Sequence, residues 1–106
     1  MPPASLKPDI EDPAIDALRV KIDAIDQRLL QLIAERLEVV HQVGEEKRQK
    51  GLKVFDPNRE EKLLRKLISV APPELDEQAV RNIFAALVRE CRRLEEVRMK
   101  AESQNS

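Results

Sequence analysis

The sequence predicts an all-α protein with three helices per chain, one long, one short and one medium, and three observations carry that prediction. Apolar residues recur at alternating steps of four and three through the first half of the chain. Charged residues make up 37% of the 106 residues, aromatics 2%, and glycine occurs only twice, a composition that favours helices. No strand pattern, internal repeat or low-complexity tract competes.

The opening MPPASLKPDIEDP places four prolines in thirteen residues, so 1–13 is expected to be a disordered arm. From about Ala14 a helical period runs to Gln49, with Gly51 as the expected C′ residue. Leu18, Ile22, Ile25, Leu29, Leu32, Arg36, Val39 and Val43 form its heptad seam. A helix of about 36 residues is roughly 54 Å long. A compact domain of this size has a radius of gyration of only about 13 Å. The seam is therefore expected to be covered partly by a second copy of the chain, in an intertwined helical-bundle homodimer. The second helix starts at FDPNREEKLL, where Asp56 is a good N-cap and Pro57 suits the first position, and it ends near Val70 before Ala-Pro-Pro. A third helix follows the N-cap Asp76 and runs to about Lys100 on the stripe Val80, Phe84, Leu87, Cys91 and Leu94. Residues 14–100 form the domain, and 101–106 are expected to be a flexible tail.

Several function classes are disfavoured. The net charge of −1 offers no broad basic face for nucleic acid. Cys91 is the single cysteine, which excludes an intrachain disulfide, and no zinc spacing is present. His41, between Val40 and Gln42, reads as a surface helix residue. The N-terminus lacks the apolar region of a signal peptide and no run reaches membrane length, so a cytoplasmic, soluble protein with no membrane contact is the expectation.

The polar residues that interrupt the stripes are the informative ones. Arg36 lies on the seam, and Lys47, eleven residues later, points within about 20° of the same direction. A buried unpaired cation is costly. Either a carboxylate of this chain or an anionic ligand meets these two, unless the side chains snorkel to the surface. On the third helix Phe84, Val88, Cys91 and Glu95 form a stripe that leads from core to a carboxylate. Cys91 alone reads as a small core residue, and Glu95 alone, followed by Glu96, as a surface acid. Asp56, Arg59 and Glu60 cluster within about one turn, where capping explains Asp56 and a solvated first turn explains the others. Together these residues describe a small polar pocket with more cations than a structural site needs.

Three segments, LRVKIDAIDQRLLQLIAERLEVVHQVGEEK, FDPNREEKLL and IFAALVRECRRLEE, resemble the all-helical chorismate mutase family. The likeness runs from about Leu18 to Glu96. It rests on Leu-Arg-x-x-Ile-Asp-x-Ile-Asp followed by the Ala-Glu-Arg ending at Arg36, joined to Lys47 and to Asp56-x-x-Arg59-Glu60. The resemblance implies an intertwined dimer whose long first helices pair and whose two active sites are shared between chains. It also implies the isomerisation of chorismate, a dicarboxylate, to prephenate within the shikimate pathway of aromatic amino-acid biosynthesis. That rearrangement is intramolecular and needs no cofactor, metal, covalent intermediate or proton transfer.

Site roles follow from the same resemblance. Arg36 binds one substrate carboxylate and Arg19 of the other subunit binds the second, a task suited to the planar guanidinium fork. Arg19 lies about 100° round the helix from Arg36 and so points out of the Arg36 site. Lys47 matches the lysine that donates to a carboxylate and to the ether oxygen, where negative charge grows. Glu60 matches the acceptor of the substrate hydroxyl, assisted by the backbone of Asp56, and Arg59 lines the same wall or forms a structural ion pair. Two positions depart from the family pattern. Cys91 stands where a serine hydroxyl often sits, which weakens any polar contact there. Glu95 stands where many relatives carry glutamine, the second donor to the ether oxygen. Lys47, Glu95 and Arg36 are thus the catalytic candidates. The rival readings are an isochorismate pyruvate lyase of the same fold and a helical dimerisation module without activity.

Overall fold

The computed structural model describes Pro8 and residues 12–104. Three helices account for nearly all of them: α1 (Pro13–Gln49), α2 (Pro57–Val70) and α3 (Glu77–Gln104). The expected arm falls almost wholly outside the described residues. Helix α1 begins at Pro13 because the Asp12 carboxylate accepts from the amides of Ala14 at 2.9 Å and Ile15 at 3.1 Å. Asp-Pro opens this helix as Asp56-Pro57 opens α2, where Asp56 accepts from the Asn58 amide at 3.0 Å. Asp76 does the same for α3 through the Ala79 amide at 2.8 Å.

The long helix stops where expected. Leu52 N–H bonds the Lys47 carbonyl at 2.8 Å and Gly51 N–H bonds the Arg48 carbonyl at 3.2 Å, the paired closure of a Schellman turn. Gly51 has φ +68°, in the left-handed region that costs a residue with a Cβ about 1–2 kcal/mol. Gly51→Ala is therefore expected to lower the melting temperature by several degrees, which calorimetry checks. An unchanged melting temperature would mean that the turn relaxes at no cost. Helix α3 departs from expectation by running four residues past Lys100. No proline or glycine interrupts it there, and Arg98 bonds Glu102 at 3.3 Å along its last turn.

The chain divides after Arg36 into two compact units. In the first, α1 presents its seam without cover: Leu18 is 57% exposed, Ile25 56% and Leu32 53%. The second unit comprises the end of α1 with α2 and α3. Leu64 of α2 and Val80 and Cys91 of α3 are its buried apolar residues. Arg81 of α3 reaches Glu61 of α2 at 3.5 Å, and its guanidinium holds the Glu61 carboxyl below the ordinary carboxylate range. That contribution is present at neutral pH and is lost as pH falls through the lowered titration. The α3 stripe is buried unevenly. Phe84 and Leu87 are half-buried, and Leu94 is exposed where the expected stripe placed it inward. Glu95 takes the buried position instead.

Candidate active site

In the second unit the segment between α1 and α2 is held from two sides. Lys47 Nζ on α1 donates to the Val54 carbonyl at 3.2 Å. From α3 the Arg92 guanidinium stacks on the Phe55 ring, 3.3 Å from its centroid. The two contacts fix the approach to Asp56, which is exposed and caps α2, with Arg59 N–H bonding its carbonyl at 3.2 Å. Arg59 is exposed and Glu60 half-buried on the first turn of α2. Asp56, Arg59 and Glu60 share the first turn of α2, as their clustering in sequence implies, and Lys47 reaches the segment that leads into it. Phe55 and Arg92 do not stand out in the sequence, because a ring and a cation 37 positions apart show no periodic relation.

A shallow groove of about 490 Å³ lies beside Lys47, lined also by Val39, Val43, Glu46, Lys50 and Leu52. Val39 and Val43 are the last residues of the expected seam, so its end borders the same groove as Lys47.

Glu95 lies elsewhere on the helix circumference. At about 100° per residue His41, Gly44 and Arg48 face away from Val39, Val43 and Glu46, and Lys47 lies between the two faces. Glu95 Oε1 meets His41 Nδ1 at 2.8 Å, and both side chains are buried. Gly44 opens the approach: a Cβ there would stand 3.5 Å from Glu95 Oε1, ordinary contact, and a larger side chain would crowd it. One expectation is corrected here. His41 is not a surface residue but is 8% exposed, and the acid that covers it comes from 54 residues away. Glu95 is 5% exposed, which agrees with its place in the pocket and not with the surface acid it resembles when taken alone. Among the described residues, Glu95 is engaged by His41 and Lys47 by the Val54 carbonyl, two separate contacts. A second tie joins the same two helices: Arg98 on α3 bonds Glu38 on α1 at 2.8 Å. Cys91, one turn before Glu95, is buried. Arg19 is exposed and Arg36 half-buried on the first unit's stretch of α1.

Every candidate residue, from Arg19 to Glu95, falls inside residues 18–96, which match the model of the family described as chorismate mutase type II. The chain belongs to that family. It is 40% identical over 75 residues to the T-protein of Enterobacter agglomerans, a match covering 66% of this chain but only 20% of the relative. To the chorismate mutase of Methanocaldococcus jannaschii it is 36% identical over 72 residues, 67% of this chain and 73% of that one. Among solved structures, the chorismate mutase of Helicobacter pylori in complex with prephenate superposes with a TM-score of 0.76 at 25% identity, covering 84% of this chain and 97% of that chain. The chain thus spans about a fifth of the T-protein but most of the Methanocaldococcus and Helicobacter chorismate mutases. The three helices, without a strand among the described residues, agree with the all-helical fold of these chorismate mutase structures. Among the described residues no helix is long and apolar enough to cross a membrane.

Proposed function

We propose that the chain is a chorismate mutase that isomerises chorismate to prephenate in aromatic amino-acid biosynthesis, acting in the cytoplasm as a homodimer with shared sites. The observation that carries this reading is the family match across the whole span of candidate residues. Solvent exposure of the α1 seam supports the dimer, since a stripe of leucine and isoleucine of this length requires cover. The reaction breaks an ether bond and forms a carbon–carbon bond within one molecule, so rate comes from holding a folded diaxial conformer and from stabilising charge at the ether oxygen. Arg36 and the partner subunit's Arg19 grip the two carboxylates. Lys47 donates to a carboxylate and to the ether oxygen. Glu60 accepts from the substrate hydroxyl beside the Asp56 backbone, with Arg59 and Cys91 along the wall.

Incubating the purified protein with chorismate and with isochorismate tests the assignment. Prephenate from chorismate is the expected product. Pyruvate from isochorismate would make the chain a lyase, and no turnover of either would leave a dimerisation module.

Glu95 carries a separate expectation. A carboxyl donates a hydrogen bond only while protonated. If Glu95 is the second donor to the ether oxygen, that donor is present at low pH and lost as pH rises. Activity is expected to fall from mildly acidic toward alkaline pH, and Glu95→Gln, a donor at every pH, to flatten the profile. A wild-type kcat/KM that stays level between about pH 5 and pH 9, or a Gln variant with the same slope, would leave Lys47 as the sole donor.

A further inference from the structure

The two oxygens of Glu95 sit in unlike settings. Oε1 lies 2.8 Å from His41 Nδ1, whereas Oε2 is buried and meets no hydrogen-bond partner. Two electronegative atoms this close need a hydrogen between them, so imidazole and carboxyl share one. The other ring nitrogen, Nε2, faces Glu45 Oε1 at 3.6 Å and Glu102 Oε1 at 3.5 Å, longer than a well-formed hydrogen bond. The charged groups around the pair are Glu38, Glu45 and Arg48 on α1 and Glu102 and Arg98 on α3. Arg98 bonds both Glu38 and Glu102, and Arg48 pairs with Glu45, so the acids that flank the imidazole are themselves held. Among the described residues the ring is thus hydrogen-bonded through Nδ1, and that contact with α3's buried carboxyl is directed at a single oxygen.

We infer that His41 is a positioning residue for Glu95: its imidazole binds Oε1 and fixes the carboxyl, leaving Oε2 as the one oxygen able to hydrogen-bond a ligand. The inference rests on the proposed reading of Glu95 as a substrate-facing group and adds to it a residue that does not itself touch substrate. Loss of the imidazole leaves a buried carboxyl with no partner at either oxygen. Such a group is disfavoured as an anion and keeps its proton to higher pH.

The test compares His41→Leu and His41→Asn with the wild type, following kcat, KM, the pH profile and the side-chain ¹³C resonance of Glu95. His41→Leu is expected to lower kcat by about 10- to 100-fold with a much smaller change in KM, as misplacement of a reacting group does. The pH at which activity and the Glu95 resonance change should move upward together. His41→Asn, whose amide donates to the same oxygen, should restore both. In a Glu95→Gln background His41→Leu should no longer move the pH profile. An unmoved Glu95 resonance with an unchanged kcat in His41→Leu overturns the inference. So does an Asn variant as impaired as the Leu variant when both retain wild-type helicity, because the ring's bulk would then be what matters. Failure of the wild type to convert chorismate overturns the functional reading instead, and the resonance then decides the pairing by itself.

Discussion

Replacing Arg36 by alanine is expected to lower kcat/KM by about 10²- to 10⁴-fold while leaving the melting temperature unchanged or slightly raised. A bidentate guanidinium–carboxylate clamp contributes two charge-assisted hydrogen bonds of about 1.5–3 kcal/mol each. At about 1.4 kcal/mol per factor of ten, their loss spans that range before any effect on orientation is added. Stability runs the other way. Arg36 is half-buried on a stripe of leucine, isoleucine and valine, where taking a guanidinium out of water is costly. Steady-state kinetics with chorismate and a thermal melt of the same sample separate the two effects. A variant that melts much earlier yet keeps its activity would assign Arg36 to an internal ion pair.

The second large effect concerns the sharing of sites. Arg19→Ala and Lys47→Ala are each expected to be nearly inactive alone, and mixing the two after subunit exchange should restore activity. In a dimer with two-fold symmetry, a site that draws Lys47 from one chain and Arg19 from the other is complete once in every heterodimer. Random exchange makes half the dimers heterodimers, so the mixture should recover about a quarter of wild-type activity. Exchange confirmed by differently tagged subunits, with no recovery, would place Arg19 and Lys47 in the same chain's site. The fold would stand unchanged.

The helices themselves were legible from local chemistry. Asp56-Pro57, Asp76 and Gly51 mark their ends within a residue or so, because capping involves groups only two to five positions apart. The motif Asp56-x-x-Arg59-Glu60 was legible for the same reason, being confined to one helical turn. His41 reads as a surface residue because it lies between ordinary helix residues, and nothing in the sequence tells which donor meets Glu95. Their contact joins α1 to α3 across 54 positions, and no periodicity in either helix records it. The Phe55–Arg92 stack escaped notice on the same ground.

By itself, then, the sequence determined the helix count, every helix end except the last of α3, the apolar seam of α1, and the family to which Arg36, Lys47 and Glu60 point. These are consequences of spacing along one chain, where rotation per residue converts position into direction. Tertiary structure alone decided which buried polar atoms meet: that Glu95 turns to His41, that Lys47 reaches the Val54 carbonyl, and that Glu95 Oε2 is left without a partner. Helical period specifies the face on which a side chain stands but not what faces it. A buried carboxyl takes whichever donor the packing of a second helix brings within about 3 Å.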